Sequence, residues 1–153
     1  MIMNAVDNFA RECGSCVACC KVLGVPSLQK PRGVLCINAL CGGCSIYKKR
    51  PQECADWKCE WLKGKYDDAE RPDKLGLVVD TNPQFKRKWG QDAITVHELF
   101  PGARFTREAK RFLDRIYEAG AFICLIPPAP HPGRTFLCTD KRKITQAMEI
   151  ATR

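Results

Sequence analysis

The 153-residue chain is expected to be an α+β protein: an irregular, cysteine-rich N-terminal metal module packed on a small β-sheet covered by two helices. Three observations lead there. Nine of the eleven cysteines fall between Cys13 and Cys59, among Gly, Lys, Asn and Pro rather than core residues. Beyond residue 64, apolar runs of strand length alternate with helical periodicity. Between the two regions, residues 63–74 (KGKYDDAERPDK) are polar and read as a connector. The expected division is residues 1–63 for the module and 64–153 for a β-β-α-β-β-α segment, the two together able to form one compact unit.

Residues 1–63 hold few long apolar runs and many turn residues. Such a stretch cannot bury enough surface to fold on a core and needs metal to hold its loops. In the second segment, residues 75–80 (LGLVVD) and 93–100 (AITVHELF) are β-rich, the first closed by Asn82-Pro83 and the second by Pro101-Gly102. Residues 107–119 form a helix, with Thr106 as N-cap and Gly120 at its end. Ala109, Phe112, Leu113 and Ile116 make its apolar face, opposite Arg107, Lys110, Asp114 and Glu118. Residues 121–126 (AFICLI) read as a central strand. The link PPAPHPG leads to a fourth strand, residues 134–139 (RTFLCT). Asp140 then caps a last helix with Ile144, Ala147, Met148 and Ala151 on one side. Both helices are expected on one face of the sheet.

Net charge is +8 with every thiol neutral. Eight metal-bound thiolates subtract eight charges and two divalent ions restore four, leaving +4. Basic residues gather at 48–50, 86–88, 107–115 and 141–143, without the aromatic interleaving of a single-strand nucleic-acid surface. They read as solvated faces and helix ends, which disfavours nucleic acid as the partner. The first residues (MIMNAVDNFARECG) carry Asn4, Asp7, Asn8, Arg11 and Glu12, too polar for a signal peptide or a membrane span. A cytoplasmic location follows as the expectation, with no membrane partner. In a reducing compartment, dense cysteine points to metal rather than disulfides, and an odd cysteine count fits full pairing poorly.

Two metal chemistries suit the spacings. Zinc takes four thiolates, commonly from two C-x2-C pairs; Cys16–Cys19 and Cys41–Cys44 form such a set, leaving Cys13, Cys20, Cys36, Cys54 and Cys59 for a second. The triple spacing Cys13, Cys16, Cys19 instead suits an iron–sulfur cluster of the 4Fe-4S kind, whose fourth ligand arrives from afar. The spacing leans slightly to the cluster. The adjacent Cys19 and Cys20 are expected to diverge and to serve different metals, or only one of them to ligate. Composition leaves zinc and iron–sulfur both open.

The run C-x2-C-x2-C-C, then Cys36 with Leu40, then CSIYKKRPQECADWKC from Cys44 to Cys59, resembles the YkgJ-type cysteine-cluster family, described as a zinc- or iron-chelating domain and including relatives of flagellin lysine methylases. The resemblance covers a third of the chain. It implies ligation by Cys13, Cys16, Cys19, Cys20, Cys36, Cys44, Cys54 and Cys59, with Tyr47, Arg50 and Pro51 in the adjoining IYxxRP segment. Cys41 lies outside this pattern and is an additional candidate. Asp56 departs from it, at a position where the family usually carries Arg or another polar residue. The methylase relatives lend little, since no glycine-rich strand–turn–helix for S-adenosylmethionine occurs here.

Independently of the family, Pro51 presets a turn that returns Cys54 towards the cluster. Arg50 offers donors to backbone carbonyls or to a thiolate-rich centre. Tyr47 and Trp57 are placed to shield a metal from water, or to serve as plain packing. Cys124 and Cys138, in FICLI and TFLCT, read as buried inert thiols rather than nucleophiles paired with His97 or His131. No phosphate loop, H-E-x-x-H or G-x-S-x-G is present. The expected function is a cysteine-ligated metal-binding protein, structural or redox in role, with a metal ion or cluster as its ligand and any protein partner unspecified. The alternative is a zinc-stapled adaptor that binds nucleic acid or a protein through residues 86–88 and the 107–115 helix. Catalysis is left open, including at an iron with a free coordination position.

Overall fold

The computed structural model describes residues 11–81, 86–87 and 93–151. The expected Asn82-Pro83 turn, Lys88 and the residues before Arg11 lie outside them, as do the side chains of Ala147, Met148 and Ala151.

The first region is made of very short pieces. Helix α1 is Cys19–Val22, a two-stranded hairpin pairs β1 (Ala39–Leu40) with β2 (Gly43–Cys44), and α2 is Gln52–Asp56. The polar stretch 63–74 is more than a connector. Asp67 and Glu70 close a capping box around a 3-10 turn at Asp68–Glu70. Helix α3, Pro72–Leu75, follows at once and stops at Gly76, whose φ of 76° is the left-handed conformation that ends helices. Leu75 and Gly76, expected in the first strand, therefore belong to this helix end.

A four-stranded sheet follows the order β3 (Leu77–Thr81), β4 (Ile94–Glu98), β5 (Ile123–Ile126), β6 (Thr135–Leu137). β3 and β4 are antiparallel, β4 and β5 parallel, β5 and β6 antiparallel. The parallel step is spanned by α4, Arg107–Glu118, the crossover helix such a pair requires. Thr106 caps it by accepting from the Ala109 N–H, and Gly120 at φ 86° turns the chain away. The predicted apolar face holds: Ala109, Phe112, Leu113 and Ile116 are buried against Leu77, Val79, Val96, Ile123 and Leu125.

The final helix α5, Lys141–Ala151, is capped by Asp140, which accepts from the Arg142 N–H at 3.1 Å. The α+β class and element order are as expected, but both helices do not share one face. Ile144 of α5 packs with Phe122, Cys124 and Cys138, on the side opposite Ile123 and Leu125. A helical pattern shows that a face is apolar; strand alternation decides which side of the sheet receives it. That second side also receives the cysteine region. Val78 of β3, fully buried, packs with Ala18, Val22, Trp61 and Leu62, and the Glu60 N–H donates to the Val79 carbonyl at 2.8 Å. Among the described residues no helix is long and apolar enough to cross a membrane.

Candidate functional site

Eight cysteines line one cavity of about 90 Å³: Cys13, Cys16, Cys19, Cys20, Cys36, Cys44, Cys54 and Cys59. Local backbone bonds position several of them. The Cys16 N–H closes on the Cys13 carbonyl at 2.9 Å, a tight knuckle that turns both side chains inward. The Cys36 N–H bonds the Cys20 carbonyl at 3.0 Å, fastening the next loop to α1. Pro51 sits at φ −55° before α2 and accepts from the Cys54 N–H at 3.0 Å, which folds Cys54 back over the cavity. Gly43 permits the closest approach: a Cβ there would stand 2.3 Å from the Gly14 carbonyl oxygen. Only glycine lets the hairpin lie against the first cysteine loop.

The eight thiols form two overlapping neighbourhoods, since the charges of Cys20 and Cys44 also reach Cys13. Cys13, Cys16, Cys19 and Cys59 share an apolar cluster with Ala18, Val22, Trp57, Trp61 and Leu62. Cys54 feels the charges of Cys20, Cys36 and Cys44, which gather it with them instead. Cys19 and Cys20 stand at the seam, and the Cys19 thiol hydrogen-bonds to the Cys20 sulfur. The expected divergence of these neighbours does not occur: both line the same cavity, in hydrogen-bond contact with each other.

Burial disfavours thiolates here. It pushes Cys16 up to about 11 and raises Cys13, Cys54 and Cys59. Cys20 is the exception, lowered to about 7 by the Cys19 hydrogen bond with help from Lys30. Any cation that these thiols ligate has to displace their protons. Among the described residues no three His, Cys, Asp or Glu side chains are gathered tightly enough to grip a single ion. The sulfurs are spread around the cavity wall.

Tyr47 and Arg50 both line the cavity. The Tyr47 hydroxyl hydrogen-bonds Cys13, and the Arg50 charge further favours the Cys13 thiolate. The Arg50 guanidinium lies 3.8 Å from the centre of the Tyr47 ring and donates to the Tyr47 carbonyl at 3.2 Å. Its Nε is buried with no hydrogen-bond partner. Trp57 also lines the cavity and donates from Nε1 to Asp80 at 3.2 Å.

Sequence reasoning missed several supporting residues. Lys30 is buried and donates from Nζ to the Leu23 and Pro31 carbonyls, with its charge near Cys36, Cys20, Cys19 and Cys54. A lone lysine between Gln29 and Pro31 carries no sequence signal. Glu60, next to Cys59, is 1% exposed and is held by Lys63, Lys65 and Thr81. Asp73 of α3 hydrogen-bonds Cys16. The polar connector thus reaches the site, which its composition could have suggested only as a surface.

Cys41 stands apart. It occupies the tip of the β1–β2 hairpin with Gly42, is exposed, and is not among the cavity's lining residues. The pair-of-pairs set Cys16–Cys19 with Cys41–Cys44 is therefore not brought together. Cys124 and Cys138 are buried in a separate apolar cluster, and desolvation pushes Cys124 up to about 11. All eleven cysteines are free thiols. Of the basic residues, Lys110 pairs with Asp114 at 2.7 Å, Arg115 with Glu70, and Arg142 with Asp140. Compared with known proteins, the chain matches no family model, no curated protein and no solved structure.

Proposed function

We propose that this protein is a cysteine-ligated metalloprotein whose eight convergent thiols hold metal as two four-sulfur sets: Cys13, Cys16, Cys19 and Cys59, and Cys20, Cys36, Cys44 and Cys54. One observation carries the reading. The cysteines of the ordered motif line a single cavity, while Cys41, Cys124 and Cys138 do not. Iron–sulfur ligation is the favoured chemistry for the first set. A C-x2-C-x2-C run wraps one cluster and takes its fourth ligand from a distant position, and the packing of Cys59 with the run in one apolar cluster supports that role for it. The spread of the sulfurs supports a polynuclear centre as well, since four thiolates on one zinc at 2.3 Å sit about 3.8 Å apart. Tyr47 and Arg50 would tune the centre by hydrogen bond and charge, as outer residues do at metal sites. Two closed structural zinc sites form the second reading, favoured by a count of eight lining thiols, twice the four that zinc takes. The resemblance to the YkgJ-type family is compatible with either metal, and a cytoplasmic protein would keep its thiols reduced for both.

Anaerobic purification with iron, zinc and acid-labile sulfide analysis tests the proposal. Iron and sulfide with broad visible absorption are expected. Cys59→Ser should lose metal and Cys41→Ser should retain the full complement. A stably folded protein free of metal would end the proposal, and stoichiometric zinc without sulfide would replace the first reading by the second.

A further inference from the structure

A second cavity, of about 130 Å³, lies where the cysteine loops meet the sheet. Lys21 of α1, Arg32 and Gly33 of the next loop, His97 and Glu98 of β4, and Ala129 of the β5–β6 connection contribute to its wall. The loops are drawn together around it. A Cβ on Gly33 would stand 2.5 Å from the Ala129 Cβ, and Arg32 Nη2 donates to the Pro127 carbonyl at 2.6 Å.

The charge of this wall is unbalanced. Glu98 is already committed to Arg104, through Nη2 at 2.6 Å and the backbone N–H at 3.0 Å. Neither Lys21 nor Arg32 has a carboxylate partner among the described residues. His97 is 9% exposed, and its Nδ1 is buried without a hydrogen bond. Buried polar atoms are nearly always paired, so an unpaired one beside a cavity points to a ligand.

We propose that this cavity binds a small oxyanion of the carboxylate or inorganic phosphate class, with Lys21 and Arg32 supplying the charge and His97 a hydrogen bond. Size agrees: a cavity of roughly 150 Å³ accommodates benzene, so this one suits a ligand of a few non-hydrogen atoms. Burial first, then Arg32 and Arg134, lowers the His97 pKa to about 4. The ring is therefore neutral near neutral pH, with one N–H to donate, and the anion's charge falls to the two cations. Because Lys21 directly follows Cys20, α1 presents its thiols to one cavity and a cation to the other. The proposal does not depend on which metal the first cavity takes.

Titration of the metal-loaded full chain with inorganic phosphate and, separately, acetate tests it, followed by calorimetry and by NMR of the two histidine rings. A saturable shift of His97 is expected with at least one anion, while the exposed His131 stays still. Arg32→Gln and His97→Gln should each weaken binding about tenfold, the worth of one charge-assisted hydrogen bond. Arg142→Gln, remote on α5, should not. If His97→Gln fails to fold, the exposed Arg32→Gln still decides. The proposal is overturned if neither anion saturates at millimolar concentration, if both histidines shift together, or if Arg32→Gln binds like the parent.

Discussion

Residues 13–62 and residues 77–137 solve the folding problem by different means. The second region has a four-stranded sheet, a 12-residue helix and a continuous apolar interior around Phe112, Leu77 and Ile123. The first has helices of four and five residues and strands of two. Elements that short have no stability of their own. Its interior is a ring of sulfurs, and its apolar cluster is completed by Val78, which belongs to the sheet. The sheet region can be ordered by burial alone. The cysteine region has a sheet to lean on at one side, and on the proposed reading metal ligation holds the other.

That contrast can be tested hardest by removing metal. Stripping an iron–sulfur or zinc centre with a chelator under reducing conditions should abolish amide protection across 13–62 while β3 to β5 stay protected from hydrogen exchange. The effect is large, because structural thiolate sites contribute on the order of 10 kcal/mol or more to local folding. Persistent protection of α1 and the hairpin in stripped protein would show that burial holds both regions.

Phe112→Ala attacks the other side. Phe112 is 2% exposed and meets Tyr66 edge-on at 4.9 Å, so the substitution should cost about 3–5 kcal/mol in denaturant unfolding. Metal content per folded molecule should be unchanged. Simultaneous loss of metal would mean that the regions fold as one cooperative unit. Thr106→Ala is the mildest case. It removes the α4 cap and should cost about 1 kcal/mol, a drop of a few degrees in Tm with the metal spectrum untouched.

How far each region was legible follows from the same contrast. Helix α4 could be read because burial imposes a period, and Ala109, Phe112, Leu113 and Ile116 keep it. The strands were legible for similar reasons. The eight motif cysteines were legible as a set because their spacing repeats within each loop, and all eight line one cavity. Spacing is silent about approach between loops: Pro51 signalled that Cys54 turns back, but which cysteines Cys54 and Cys59 would stand beside was not legible. Helix α1, which begins at Cys19, is too short at four residues to leave a periodic trace. Lys30 escaped notice because its burial depends on carbonyls that only the folded loop presents. The side taken by α5 was hidden too, since an apolar helix face fits either surface of a sheet buried on both.

The hairpin tip has a practical consequence. Cys41 is the one cysteine of the eleven classed as exposed, and it projects on a two-residue turn away from the sulfur-lined cavity. A thiol-reactive dye or spin label would therefore attach first at a single address, beside the cavity but not in it. In air the same address lets two molecules join through an intermolecular disulfide, so a covalent dimer of this protein would report on handling rather than on assembly.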